Sequence, residues 1–293
     1  FNPVYGATGN AIDPSRSAGG SSGGAAVALA AGMVPLADGS DMMGSLRNPA
    51  GWNEIYGFRP TWGWVPSEPA GDMFQHMLAT NGPMARTPQD VALLLDVMAG
   101  GDPRLPLHRG AEPVLPLQDP GPLKLGWLAD WGGAYPMDAG ILDTCERAIS
   151  DLEAQGHQVD RLTPPYPAEH IWQSWITLRS YAVAAGLRPL AERRDQLKEA
   201  ALWELDRGLG FTGAEVQAAS DLRAGWMRAA ARMFESYDAV LLPTAQCWPF
   251  PVEWTAPTEI AGQAMDTYHR WMEVVVPASL LGLPSLAVPA GRG

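Results

Sequence analysis

The sequence predicts an α/β fold, with one mixed β-sheet flanked by helices on both faces. Three observations predict it. Short apolar runs of strand length, at residues 34–37, 123–127 and 239–242, are separated by longer segments of helical period. Strands that alternate with helices in this way build a sheet covered on both sides. The 293 residues are 46% hydrophobic and 18% charged, which supports a sizeable packed core and excludes a disordered chain.

Taken in order, residues 1–24 are rich in Gly, Ser, Asn and Pro and read as loop. The small-residue run 25–31 reads as a closely packing helix ended by Gly32. Residues 34–37 read as a short buried strand, and 39–49 as loop again. Thr87 and Pro88 open a helix as N-cap and first helical residue. Val91, Leu94, Leu95 and Met98 form its apolar face, and Gly100 ends it. A Pro/Gly-rich linker covers 102–122. Leu123, Leu125 and Trp127 then alternate as a strand. Ile141, Cys145, Ala148, Ile149 and Leu152 share one helical face, stopped by Gly156, and Val159 begins a further strand. Residues 168–235 read as mostly helical, 239–242 as a buried strand and 283–288 as another. No internal repeat is present. One domain over 1–293 is expected, with a helical substrate-side region at 165–235.

Several function classes are excluded or disfavoured. The net charge of −12 opposes a phosphate backbone, so no nucleic-acid partner is expected. No run of about 18 apolar residues exists to span a membrane. Cys145 and Cys247 form no C-x-x-C pair and read as reduced thiols of a cytoplasmic protein. His76, His108, His157, His170 and His269 show no metal-ligand spacing, and neither metal nor cofactor is expected. The start, Phe1-Asn2-Pro3, is neither an initiator Met nor a signal peptide and reads as the middle of a longer protein. A homodimer is left open.

The chemistry is concentrated between Gly19 and Pro60. Gly19-Gly20-Ser21-Ser22-Gly23-Gly24 precedes the first helix, and Gly39-Ser40-Asp41-Met42-Met43-Gly44-Ser45-Leu46-Arg47-Asn48-Pro49 follows it. Glycines before a helix let backbone N–H groups approach a bound group, and serines place hydroxyls at the same point. Ser45 lies 24 residues beyond Ser21, and the short helix and strand between them can fold back to join the two loops. Two serines beside free N–H groups suit a nucleophile, a proton relay and an oxyanion hole. A Gly/Ser run alone is more often a flexible linker. A phosphate loop lacks its lysine near residue 24, and no G-x-S-x-G elbow surrounds Ser45.

These motifs resemble the amidase signature: G-G-S-S-G-G, a small-residue helix, a G-[ST]-D-x-x-G-S-[IL]-R-x-P loop, then Tyr56-Gly57-Phe58-Arg59-Pro60-Thr61. The likeness continues more weakly through residues 82–86, 242–244 and 282–289. The resemblance implies an amidase-signature fold and hydrolysis of a non-peptide carboxylic amide through a serine acyl-enzyme. Ser45 would be the nucleophile. Ser21, on a cis peptide, would relay a proton between Ser45 and a neutral lysine. The N–H groups of Met42, Met43, Gly44 and Ser45 would form the oxyanion hole, and Ser22, Asp41 and Arg47 would support the loops. The partner would be a small-molecule amide. A glutaminase-type subunit of an amidotransferase and a non-catalytic binding protein of the same fold are the alternatives.

Two departures bear on this. The family commonly has Gly where Met43 stands, so a side chain here could narrow the pocket. The family's lysine lies upstream of Phe1, and neither Lys124 nor Lys198 matches its place, so residues 1–293 alone would hydrolyse amides poorly or not at all. Cys247 lacks a motif that would make it a nucleophile. Trp172, Trp175, Tyr268, Trp271 and Met272 read as core or pocket wall, and the 12 Trp and 12 Met suggest an apolar acyl group.

Overall fold

The computed structural model describes residues 4–68, 71–107, 110 and 112–292. The first helix, α1 (Gly23–Ala30), buries Ala26 and Leu29, and Gly32 follows it at φ +71°. Strand β1 (Leu36–Asp41) then pairs antiparallel with β3 (Thr80–Ala85), from Leu36 opposite Ala85 to Asp41 opposite Thr80. Between them lie helix α2 (Arg47–Trp52) and strand β2 (Tyr56–Arg59), and β2 pairs antiparallel with both β3 and β9 (Ser285–Ala287). This sheet runs in the order β1-β3-β2-β9.

A second sheet is parallel. In it β4 (Lys124–Trp127) lies between β5 (Gln158–Arg161) and β6 (Ala239–Leu241). Helix α4 (Ile141–Ala154) connects β4 to β5 and buries Ile141, Thr144 and Ile149. A short hairpin, β7 (Glu259–Ile260) and β8 (Gln263–Ala264), stands apart. The fold class is α/β, as expected. The single mixed sheet is divided, among the described residues, into an antiparallel sheet and a parallel one.

The helical region contains α5 (Ala168–Leu187), α6 (Glu199–Gly210) and α7 (Gly213–Phe234), and α5 packs against both others. Helix α3 (Pro88–Met98) starts where Thr87 caps it, the Thr87 hydroxyl accepting the Asp90 N–H at 3.1 Å. The 3-10 turns Arg270–Val275 lead into α8 (Val276–Leu281). Trp172, Trp175, Trp271 and Met272 are all buried in the largest core cluster, so they are core, whereas Tyr268 is 42% exposed. Among the described residues no helix is long and apolar enough to cross a membrane.

Four local expectations need correcting. The first strand starts at Leu36 and runs through residues read as loop, and of its six residues only Asp41 is buried. The loop read over 39–49 therefore gives way to strand at one end and to α2 at the other. Pro49 falls in the first turn of α2, where its missing N–H removes no intrahelical bond. Strands β2 and β3 were hidden by Gly57 and by Gly82-Pro83, which break the alternation. Pro83 is tolerated because β2 pairs only with Met84 and Ala85, leaving β3 one-sided at that point.

Candidate active site

The site begins where β1 ends. Asp41 is fully buried and organises the turn that follows it. Its Oδ1 accepts the Gly44 N–H at 2.8 Å and Arg47 Nη2 at 3.0 Å. Its Oδ2 accepts the Leu46 N–H at 3.2 Å and Arg47 Nε at 3.0 Å. Arg59 Nη1 donates to the Asp41 carbonyl oxygen and stands 3.5 Å from Oδ1. Burial pushes the carboxyl up, but the charge and hydrogen bonds of Arg47 and the charge of Arg59 outweigh it, giving about 2. Burial in turn draws Arg59 down to about 10, against the pull of Asp41.

The same arginines tie the turn to α8. Arg47 donates to the Val275 carbonyl at 3.0 Å and to Ser279 Oγ at 2.6 Å. Arg59 donates to the Leu78 carbonyl at 2.8 Å and the Ser279 carbonyl at 3.3 Å. Gly44 has φ +78°, and a Cβ there would come within 2.8 Å of Val275 Cγ2. The turn therefore needs glycine both for its conformation and for its contact with Val275.

The first glycine-serine loop meets this turn directly. The Ser22 N–H donates to the Ser45 carbonyl at 3.3 Å, and the Gly20 N–H to Asn48 Oδ1 at 3.4 Å. Ser22 Oγ donates to the Ser40 carbonyl at 3.5 Å. A Cβ on Gly39 would lie 2.3 Å from that hydroxyl, so the strand can approach the loop only without one. The Gly20–Ser21 peptide bond is cis. Ser21 is exposed, and Ser22 and Ser45 are half-buried. The Ser21 and Ser45 hydroxyls make no hydrogen bond to each other.

The expected oxyanion donors are not equivalent. The Gly44 N–H is committed to Asp41, whereas those of Met42, Met43 and Ser45 have no partner among the described residues. The Met43 side chain is 2% exposed and lies in the core cluster with Trp52 and Val275, so it does not narrow an opening. Met42 is half-buried, and its Sδ accepts from Arg179 Nη1 at 3.2 Å.

Arg179 belongs to a group that the motifs did not signal. Glu204 accepts from Arg179 Nε at 2.6 Å and Nη2 at 3.2 Å, and His269 Nε2 lies 3.5 Å from the same carboxylate. Burial pushes Glu204 up, but His269 and Arg179 together hold it below the ordinary carboxylate value. These residues come from α5, α6 and the approach to the 3-10 turns, and no local pattern links them.

The other candidates lie elsewhere. Lys124, in the parallel sheet, stands 3.7 Å from Asp160 and over the Tyr237 ring. Lys198 is exposed at the start of α6. Cys247 is buried, which pushes its thiol up and disfavours the thiolate a nucleophile needs. His76 packs on Tyr181 and His170 on Tyr166, and His157 Nδ1 accepts the Leu123 N–H. His108 lies outside the described residues. A cleft of about 360 Å³, lined by Glu169, Asp266, Arg270 and Glu273 among others, includes none of the serine-loop residues. There burial pushes Glu273 up to about 7 against the pull of Arg270.

Residues 1–293 match the profile of the family described as Amidase. An acylamidase of Rhodococcus erythropolis is 32% identical over 99% of this chain and 61% of its own length. An indoleacetamide hydrolase of Bradyrhizobium diazoefficiens is 31% identical over 98% of this chain and 55% of its own. The solved structure of a bacterial aryl acylamidase of the amidase signature family superposes with a TM-score of 0.90 at 28% identity, covering 100% of this chain and 63% of that one. The chain thus spans less than two thirds of the length of each of these relatives.

Proposed function

The chain belongs to the amidase family, and on that premise we propose that it carries the acyl-transfer centre of a carboxylic-amide hydrolase, with Ser45 as nucleophile. The observation that carries this reading is the contact between the two loops, where the Ser22 N–H meets the Ser45 carbonyl. It joins the residue after Ser21 to Ser45, which supports a relay between the two hydroxyls beside a turn whose Met42, Met43 and Ser45 N–H groups have no partner among the described residues. Ser45 Oγ attacks the amide carbon as its proton passes toward Ser21. The oxyanion is held by the N–H groups of Met42, Met43 and Ser45, with Gly44 serving the turn through Asp41 instead. Ser21 hands its own proton on to the departing amine as the C–N bond breaks, and water then adds to the acyl carbon, a proton returning to Ser45 Oγ as the acid leaves. Lys124 is engaged with Asp160 in the parallel sheet and Lys198 precedes α6, so this reading assigns the base to neither.

The names of the relatives, acylamidase and indoleacetamide hydrolase, support a linear amide with an aromatic or other apolar group. They favour this over the amidotransferase role. The tryptophans that suggested an apolar acyl group from sequence do not add to it, since Trp172, Trp175 and Trp271 are core. Two free cysteines fit a cytoplasmic setting.

The test is covalent labelling. In the full-length protein a fluorophosphonate should modify Ser45, located by mass spectrometry, and Ser45→Ala should lose at least about 10³-fold in kcat on an aryl amide. Labelling confined to Ser21 or Ser22 would overturn the assignment.

A further inference from the structure

Arg179 reaches from the helical region to the turn bearing Ser45. Its side chain leaves α5 largely buried, 17% exposed, and lies over the Trp175 ring at 5.2 Å. Glu204 takes Nε and Nη2 together, and this two-point contact fixes the plane of the guanidinium. His269 flanks the same carboxylate from the approach to the 3-10 turns. With that edge occupied, Nη1 is directed at Met42 Sδ, 3.2 Å away.

Met42, like Met43, has an N–H that the Asp41 carboxylate does not hold. The carboxylate fastens Gly44, Leu46 and Arg47, all on the far side of Ser45 or next to it. The Met42 N–H has no partner among the described residues, Arg59 holds its peptide at the Asp41 carbonyl, and its side chain is half-buried against the core and capped by Arg179. A thioether is a weak acceptor, so the contact contributes little stability by itself. Its consequence is orientation, and misplacement of a reacting group by about 1 Å can cost on the order of 10²-fold in rate.

We propose that Arg179 is a positioning residue for the oxyanion turn: locked by Glu204, it holds Met42 so that the Met42 N–H points to where the carbonyl oxygen gains charge. The inference rests on the reading of Ser45 as nucleophile and adds to it a residue outside the serine loops. It also explains why a cation is neutralised so completely beside an uncharged partner. The role required is a fixed donor, not a charge.

The experiment compares Arg179→Lys, Met42→Leu and the double variant in the full-length protein on an aryl amide, with kcat normalised to sites titrated by a fluorophosphonate. Lysine keeps the charge near Glu204 but loses the fork, and leucine keeps the apolar volume but loses the sulfur. Each single variant should lower kcat about tenfold, less than the 10²–10³ of a deleted oxyanion donor, and leave KM within about twofold. Affinity for a trifluoromethyl ketone analogue should fall in parallel with kcat. The double variant should be no worse than Arg179→Lys alone. Effects that multiply, or a raised KM with kcat unchanged, overturn the proposal. Methyl-¹³C methionine spectra give a readout that needs no turnover. The Met42 methyl, assigned by its loss in Met42→Leu, should shift in Arg179→Lys while the methyls of methionines distant from the turn stay in place. An unmoved Met42 methyl overturns the proposal even if kcat falls. A wild-type protein without amidase activity, but with the methyl shift, overturns the reading of Ser45 and leaves the Arg179 contact standing.

Discussion

At the scale of single residues, Asp41 shows how a buried charge is made useful. Removed from water, the carboxylate is tolerable because two guanidiniums and two backbone N–H groups converge on it. Those donors are the turn itself, so neutralising the charge also fixes the backbone around Ser45. Its folded value of about 2 lies below the ordinary 3.8. The stabilisation is therefore complete above the unfolded value and is lost as pH falls from about 4 towards 2, amounting to about 2 kcal/mol. Chemical denaturation across that window should show it, and Asp41→Asn should flatten the slope. At pH 7 the same variant should be less stable by about 3–5 kcal/mol, because Arg47 and Arg59 are left buried without their anion. An Asp41→Asn protein as stable as wild type at neutral pH would refute this account of the turn.

At the scale of elements, the turn is held between β1 and α8. Gly44 is where they meet, with φ +78° and no room for a Cβ beside Val275. Gly44→Ala should cost about 1–3 kcal/mol from the strained conformation and should lower kcat more than it raises KM. Trimming Val275 to Ala in the Gly44→Ala background should recover part of the activity by making room. Failure of that rescue would mean the backbone conformation alone, without the contact, sets the requirement. The sequence showed the glycines flanking the serines but not this reason for one of them. Val275 lies more than two hundred residues from Gly44, and nothing local marks it as the neighbour. Elements with a strong local signature, such as the Thr87-capped α3 and the amphipathic α4, stand close to where their patterns place them. Strands β2 and β3 do not, since their glycines and Pro83 suit a particular pairing that no single strand displays.

At the scale of the whole molecule, the two lysines test how the chemistry is distributed. Lys124 belongs to the parallel sheet and is engaged with Asp160 and Tyr237, and Lys198 lies at the start of α6. Replacing either by Ala in the full-length protein should leave kcat/KM within about twofold, as expected of side chains largely at the surface. A loss of 10²-fold or more at Lys124 would make it the base and overturn that separation. By itself the sequence determined the α/β class, most of the helices and the pair of serine loops. These depend on local period, capping and the few residue types that such loops accept. The tertiary structure alone decided the division into an antiparallel and a parallel sheet, because register is set by distant partners. It also decided that Gly44 serves Asp41, that Met43 turns into the core, and that Arg179 reaches Met42. The packing of Met43 against Val275 and the reach of Arg179 to Met42 join residues far apart in the chain, and even the three-residue link from Gly44 to Asp41 depends on a turn fixed by packing and by the need of buried charges and donors for partners, so none is written in a local pattern.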